Sequence, residues 1–299
     1  MKFSIPLSVL AFSATSEAFA PSASFKSKGK ISSHIPTHHV PSFDVSQSKK
    51  TRHFTALNVN SGDEESEGIL TGINPVYAIP YAIFLTCATY FSLNEPTGAS
   101  QAIIEKFVEN PLQPNLGSSL FEVVFNSLGL VGVPMACLIM PGAKDQKLNP
   151  VPFLFGSAAA GYGSLGIFMM TRKPREEVDM EDLGWFTKNV LENKIFNWVV
   201  VLALANVYNI TGAGADLISD AGATFAAFKD FIGQSALGFV STVDLTILCL
   251  TGASLVPEDL KRRGVDDQAK AAAIAASTLL VPVVGLATYA ALRPSLEEE

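Results

Sequence analysis

The chain is poor in charged residues, in cysteine and, over most of its length, in histidine. Only 16% of its 299 residues are charged, against about 25% in an average soluble domain. All four histidines lie in the first 57 residues, so a mature protein without this leader has no imidazole for acid–base catalysis or for holding zinc, haem or chlorophyll. The three cysteines fall in separate apolar stretches, which excludes a clustered metal or redox motif.

Recognisable catalytic motifs are missing as well. The sequence contains no nucleotide-binding loop, nucleophile elbow or cluster of metal ligands. It therefore predicts no catalytic residue, no cofactor and no metal, and we expect the protein not to be an enzyme. Residues 58–299 hold fourteen basic and twenty-six acidic side chains. Such an acidic body argues against nucleic acid as a partner.

The first 57 residues have the opposite charge balance, with seven basic and two acidic side chains. Lys2 precedes an apolar run from Phe3 to Ala14, which is too short to span a bilayer and is typical of a signal peptide. A stretch rich in serine, threonine, lysine and histidine then extends to residue 57. These features predict a targeting leader that is removed from the mature protein.

The junction between the two parts of the leader reads Ala18-Phe19-Ala20-Pro21. With its flanking segments it resembles the bipartite presequence of algae with red-lineage secondary plastids, in which the phenylalanine opens a transit peptide. The resemblance implies cleavage between Ala18 and Phe19 and import into the plastid through the secretory pathway. An ordinary secretory signal followed by a polar stretch is the alternative.

Six apolar segments follow the leader, and each approaches the ~20 residues that cross ~30 Å of hydrocarbon as a helix. They cover residues 76–93, 118–140, 151–170, 195–210, 232–256 and 271–292. We therefore expect an all-α, polytopic membrane helix bundle with about six spans. The predicted domains are a signal peptide (1–18), a transit peptide (19–57), a flexible mature N-terminus (58–70), the membrane domain (71–294) and an acidic tail (295–299).

Three shorter segments place apolar residues at helical spacing, namely residues 99–109, 180–191 and 215–232. One interpretation is a set of helices lying on the membrane surface. The other is a set of helices packed on the rest of the protein. The sequence does not decide between them.

For six spans, the loops after the first, third and fifth carry ten Lys and Arg residues, and the other side carries four. The positive-inside rule then predicts that these three loops face the stroma and that both termini face the opposite side. A 3+3 repeat is a further hypothesis. Thr97-Gly98-Ala99 matches Thr211-Gly212-Ala213, and Arg172 and Arg293 close equivalent segments. Three spans per half would invert the second copy.

The C-terminal third carries a second resemblance. It rests on Val243-Asp244-Leu245, on the run from Glu258 to Gly264, on Val281-Pro282 and on Tyr289-x-x-Leu292-Arg293-Pro294. These motifs resemble a family of cyanobacterial and plastid multi-pass membrane proteins to which no activity is assigned. The resemblance extends over residues 110–294 and implies plastid ancestry and a helical membrane fold, without a function.

The candidate polar site consists of Glu122, Asn126 and Asp244. Both carboxylates fall inside apolar segments, where ionised groups are costly and usually face a cavity or a partner. Asn126 lies four residues after Glu122, on the same helix face. The functional interpretation is a proton-coupled or cation-binding site. Alternatively, Glu122 interacts with a helix N-terminus at the interface, and Asp244 makes a structural hydrogen bond to a neighbouring helix.

Small residues at Gly156, Ala160 and Ser164 predict a stripe on the third span that allows another helix to approach closely. Two functions remain open. The favoured one is a non-catalytic scaffold or assembly factor in the thylakoid or inner envelope, with the lipid bilayer and other proteins of that membrane as partners. The alternative is a small-solute or proton-coupled transporter or channel.

Overall fold

The computed structural model describes residues 72–95, 98–110 and 114–296. The predicted signal peptide, transit peptide, Ala18–Phe19 cleavage site and flexible N-terminus lie outside these ranges. Every regular element within them is a helix, so the all-α prediction is confirmed for the described residues. The α-helices are α1 (Pro75–Asn94), α2 (Ala99–Glu109), α3 (Ser119–Leu130), α4 (Gly132–Ile139), α5 (Pro150–Ala160), α6 (Tyr162–Thr171), α7 (Lys194–Ile210), α8 (Ala213–Ile232), α9 (Ala236–Lys261), α10 (Gln268–Ser277) and α11 (Val284–Leu292).

Two of these helices, α1 and α9, are long and apolar enough to cross a membrane. Two bent pairs pass the same test together, α3 with the turn-extended α4 at 41° and α7 with α8 at 55°. The described residues therefore supply two candidate spans, or up to four if each bent pair is one span. Six separate spans are not seen, because the third and sixth apolar segments of the sequence are each broken into two short helices.

The third apolar segment folds back on itself at Gly161. The arms α5 and α6 pack against each other, with the Ser164 hydroxyl donating to the Phe153 carbonyl oxygen at 3.1 Å. The chain enters and leaves the hairpin at one end, since the side chain of Gln146 donates to the carbonyl oxygen of Lys173. Residues 150–171 are therefore a hairpin of two half-length helices, and the expectation of one continuous helix is corrected.

The sixth apolar segment is interrupted in the same way between α10 and α11. The amide of Gly285 donates to the Val281 carbonyl oxygen, and Val283 at the turn has a φ of +64°. Pro282 lies within this turn, and it lacks the amide hydrogen that a continuous helix would need there. Helix α10 begins just after α9 ends, and Arg293, which follows α11, donates a hydrogen bond to Asp259 of α9. The hairpin therefore begins and ends at the same end of the bundle.

The helices define two ends of the bundle. At the first, named the charged end, α4, α6, α9 and α11 finish and α7 begins; the amide of Asn74, at the start of α1, donates to the Met170 carbonyl oxygen. At the opposite end, α1 reaches the start of α9, where the Phe91 and Phe239 rings stack 3.8 Å apart. The Ala236 amide donates there to Glu95.

Asparagine and serine side chains fix where several helices begin. Asn74, Asn149 and Asn193 each accept an amide hydrogen from the first turn of the helix that follows. Ser118 and Ser235 do the same for α3 and α9. These are strong N-cap residues, because their short side chains satisfy amides that have no partner within the helix.

The three amphipathic segments behave differently from one another. Helix α2 buries Ile103 and Phe107, and the Phe107 ring lies 4.1 Å from that of Phe125, so α2 is packed on the protein. Helix α8 sets Phe231 against Phe121 at 4.5 Å yet leaves Ile218 89% exposed. Residues 180–191 form only two short turns, a 3-10 turn and a π-helical turn, in place of the predicted amphipathic helix.

Candidate functional site

The Asp244 carboxylate is buried at the break between α5 and α6. It accepts a hydrogen bond of 2.7 Å from the backbone amide of Tyr162, the first residue of α6. A carboxylate at this position interacts favourably with the partial positive charge of a helix N-terminus and satisfies an amide that the helix cannot. Asp244 is therefore used as a cap that a different helix supplies.

Gly161 makes this contact geometrically feasible. Its φ of +53° and ψ of −132° lie outside the regions that residues with a Cβ adopt. A Cβ at this position would also overlap the Asp244 carboxyl group. The sequence could have indicated the break through the run of small residues ending in Gly161-Tyr162-Gly163, but it does not reveal which side chain caps it.

The other candidate acid, Glu122, has a separate partner. Its carboxylate accepts a hydrogen bond of 2.8 Å from the Leu116 amide, in the loop before α3, and only 5% of the residue is exposed. Asn126 lies one turn further on, as predicted, and its side-chain amide donates to the main-chain oxygen of Glu122 at 2.8 Å. The structure therefore gives Glu122 and Asp244 different backbone partners and does not bring them into one site.

The three small residues do not form one stripe, because the chain turns back at Gly161. Gly156 and Ser164 sit on opposite arms of the hairpin, where a Cβ at Gly156 would press on the Ser164 hydroxyl. Ala160 is exposed. The predicted stripe on a single helix is corrected to a close contact between two short helices. Close approach to a third helix involves Gly166 instead, against Tyr81 of α1.

A larger polar cluster lies at the charged end, which we call the Arg–carboxylate network. Its members are Arg172, Glu192, Glu258, Asp259, Arg262, Arg263, Tyr289 and Arg293. Sequence reasoning singled out neither the network nor Glu192. Arg262 and Arg263 are buried within the network, with 8% and 4% of each residue exposed. The available signal was the set of motifs behind the family resemblance, which contains most of these residues.

Asp259 is the centre of one half of the network. It has no exposed surface and receives hydrogen bonds from Arg263 at 3.0 Å, Arg293 at 3.2 Å and Tyr289 at 2.7 Å. Arg263 also makes a bidentate contact with Glu192, with both distances 3.0 Å. Since these residues come from the end of α9, the turn before α7 and the end of α11, their charges join three separate parts of the chain.

Glu258 is the centre of the other half. Arg172, at the end of α6, contacts it with two hydrogen bonds of 2.9 and 2.6 Å, and Arg262 contacts it from the following turn of α9. Arg262 also donates to the Leu138 carbonyl oxygen of α4 at 3.0 Å. Bidentate arginine–carboxylate pairs are among the stronger and more directional polar contacts in proteins, so this half fixes the hairpin to α4 and α9.

Two further ion pairs lie beside the network and share Asp182. Asp182 accepts hydrogen bonds from Lys144 and from Arg175. These hydrogen bonds hold the pKa of Asp182 below its ordinary value, and the one from Lys144 has the larger effect. A lowered carboxyl pKa contributes stability above the pKa of the unfolded chain, and this contribution is lost as the pH falls through the folded-state value.

Two cavities of the described region are lined by neither candidate acid. One of about 530 Å³ lies between α3, α8, α9 and the turn before α11, with a mainly apolar lining that includes Val123, Phe228 and Leu245. Another of about 670 Å³ lies at the charged end and is lined in part by Tyr77, Arg172 and Glu258. Neither is lined by Glu122 or Asp244. Among the described residues, no three His, Cys, Asp or Glu side chains converge as ligands for a metal ion.

The buried carboxylates of the described residues thus bind arginines, a tyrosine or the chain's own backbone. Comparison with known proteins adds no assignment, since no family model, curated protein or solved structure matches the chain.

Proposed function

We propose that this protein is a non-catalytic scaffold or assembly factor of a plastid membrane, either the thylakoid or the inner envelope. The observation that carries the proposal is the engagement of the Asp244 carboxylate by the Tyr162 amide, in a space that Gly161 leaves for it. An intramembrane acid on a transport route is expected to face a cavity or a water-filled path. This one serves as a helix cap.

The other buried acids support the same interpretation. Glu122 holds the loop before α3, and Asp259 and Glu258 hold arginines of the network. Each of these groups stabilises the fold of the chain itself. What remains for function is the surface of the bundle, where α1 is largely exposed. In a bilayer such an apolar surface meets lipid or the helices of neighbouring membrane proteins.

The plastid part of the proposal rests on the leader. The signal-peptide core, the Ala18-Phe19-Ala20-Pro21 junction and the basic, hydroxyl-rich stretch behind it together resemble a bipartite presequence. The apolar helices of the described region are consistent with a membrane as the destination.

A small-solute or proton-coupled transporter is the second candidate, and one observation favours it. Transporters commonly bind their substrates and ions at discontinuous helices, where half-helix N-termini face the site. The break at Gly161 and the acid beside it have this form. Under this proposal the Tyr162–Asp244 contact would open during transport.

Asp244→Asn separates the two functions. Asparagine keeps the size of the side chain and an oxygen that accepts the Tyr162 hydrogen bond, but it cannot carry a proton. For a scaffold, we expect a knockout strain complemented with Asp244→Asn to accumulate the protein and to grow photosynthetically like the wild type. Asp244→Leu, which also removes the acceptor, should destabilise the protein by about 1–2 kcal/mol. Glu109→Gln on an exposed surface is the matched control.

A stable Asp244→Asn protein that fails to restore growth would contradict the scaffold proposal. So would proton-dependent solute flux in proteoliposomes of the purified protein that Asp244→Asn abolishes. The scaffold itself should also be detected directly, as co-migration with a larger membrane complex in mild detergent, and that complex should decrease in the knockout.

A further inference from the structure

The described region contains the same order of elements twice. The first series is α1, α2, the bent pair α3–α4 and the hairpin α5–α6. The second is α7, α8, α9 and the hairpin α10–α11. In each series a long helix runs from the charged end to the opposite end, a second helix packs there, a third element returns, and a hairpin of two short helices starts and finishes at the charged end.

The helix caps agree between the two series. Asn74 before α1 accepts the amide of the second residue after it, and Asn193 before α7 does the same. Ser118 before α3 and Ser235 before α9 both accept the amide of the third residue after them. The two asparagines are separated by nearly the same number of residues as the two serines, so the two series are in register along the sequence.

The second element of each series starts in the same unusual backbone conformation. Gly98 before α2 has φ and ψ of 86° and 0°, and Gly212 before α8 has 76° and −5°. Both glycines stand between a threonine and an alanine. This left-handed conformation is adopted readily by glycine and by few other residues. Gly98 and Gly212 therefore agree in residue type, in dihedral angles and in position within their series, which are three independent observations.

The two hairpins end on equivalent arginines. Arg172 follows α6 with φ and ψ of −71° and 148°, and Arg293 follows α11 with −56° and 149°. Both donate their amide to the carbonyl oxygen four residues earlier. Both side chains are buried, and each pairs with one of two consecutive acids of α9, Arg172 with Glu258 and Arg293 with Asp259.

The packing between elements repeats as well. Helix α1 packs on α6 and α9, and its counterpart α7 packs on α11 and α3. Helix α2 packs on α9, and its counterpart α8 packs on α3. When the two series are interchanged, the contacts of α1 become those of α7, and the contact of α2 becomes that of α8. This is the behaviour of two copies related by a twofold axis that passes between the α3–α4 pair and α9.

We infer that the membrane domain is an internal duplication of two copies with the same orientation, and that it crosses the bilayer four times. The crossings are α1, α3–α4, α7 and α9. The 17 residues of α7 suffice for a crossing without α8, which packs at the opposite end as α2 does. Each copy adds one hairpin that enters the membrane from the charged end and returns to it. An even number of crossings per copy leaves the second copy parallel to the first, with the axis along the membrane normal.

The lengths and charges fit four crossings. Helix α5 has eleven residues, which at 1.5 Å per residue extend about 16 Å, or half of the ~30 Å hydrocarbon layer. All Lys and Arg residues between 72 and 296 lie at the charged end except Lys106 and Lys229. This bias is stronger than the one obtained for six spans, and the positive-inside rule assigns the charged end to the stroma of a plastid.

The copies differ at one position that matters for the scaffold proposal. Asp244 lies nine residues after the cap Ser235, and the residue nine after Ser118 is Ser127. The first hairpin therefore has an acid from the second copy at its tip, whereas the first copy carries a buried serine at the equivalent position of its own helix.

Single cysteines in the full-length protein test the arrangement with a membrane-impermeant thiol reagent. The positions are exposed: Lys147, Lys173 and Ser295 on one predicted side, and Glu109 and Ser219 on the other. The native cysteines stay in place, and the unsubstituted protein reports their own labelling. Each variant must first react after detergent solubilisation, so that a lack of labelling in sealed membranes reports its side.

We expect labelling at 147, 173 and 295 from one face of the membrane only, and at 109 and 219 from the other face only. Six spans would place 147 and 173 on opposite faces, and 109 on the face of 173. Any distribution other than the expected one overturns four crossings and the parallel duplication. Because the assay reports only on which side of the membrane a residue lies, such a result would not contradict the scaffold proposal, which the Asp244→Asn experiment tests.

Discussion

At the scale of single residues, burial of charge dominates this protein. Asp259 has no exposed surface, and two arginines and a tyrosine hydroxyl bond it. Removing one member of a buried ion pair leaves the others desolvated and unpaired, which costs more than the pair contributes relative to apolar substitutes. The arrangement is therefore expected to be sensitive to single substitutions.

Asp259→Ala should destabilise the protein by about 3–5 kcal/mol, because Arg263 and Arg293 would then share only Glu192 as a carboxylate partner. The measurement is the apparent melting temperature of the purified protein in detergent, together with its abundance in membranes. Glu176→Gln is the control, since Glu176 forms an exposed pair with Lys261, and we expect little change there. An Asp259→Ala protein as stable as this control would show that the network contributes nothing to the fold.

At the scale of elements, the two hairpins distinguish this fold from a simple bundle. The sequence predicted the positions of α1, α2, α7 and α8 well, because apolar runs and helical spacing of apolar residues are local signals. It predicted single helices over 151–170 and 271–292, since hydropathy records how apolar a segment is and not whether its backbone reverses. The reversal depends on Gly161 and Pro282 acting within a tertiary context that a sequence window does not contain.

Gly161→Ala should destabilise the α5–α6 hairpin by at least the roughly 1–3 kcal/mol of a strained backbone conformation, with a further cost from overlap with Asp244. Gly212→Ala is the matched control, because Gly212 also has a positive φ but has open space where a Cβ would lie. Melting temperatures of both variants measure the difference.

A second variant isolates the overlap. Asp244→Ala should cost less in a Gly161→Ala background than in the wild type, since the two substitutions remove one shared contact. Fully additive effects would mean that the Asp244 carboxylate does not occupy the space beside Gly161.

At the scale of the whole molecule, the proposed plastid location rests on the predicted leader. A fluorescent protein fused to residues 1–60 should enter the plastid of an alga with a red-lineage secondary plastid. Phe19→Ala should divert it to a surrounding compartment, because the exposed phenylalanine is the feature on which the proposed transit peptide depends. Microscopy of both fusions is the measurement, and Ser22→Ala, close by in the leader, is the control. Plastid import that is indifferent to Phe19→Ala would argue for a different targeting signal.

The sequence by itself determined the helical class, the places where most helices begin and the uneven distribution of charge. These follow from composition, from the bounds of the apolar and amphipathic segments, and from the excess of Lys and Arg near a few segments. All of them are local properties, since each depends on residues within a few positions of one another.

Only the tertiary structure decided the partners of the buried charges and the path of the two broken segments. Asp244 caps a helix that begins 82 positions earlier in the chain, and Arg293 pairs with acids in two other elements. The free energy of a buried carboxylate depends on which donors surround it in space. Hydropathy and spacing leave those donors undetermined, so neither the Asp244 cap nor the network could be read from the sequence alone.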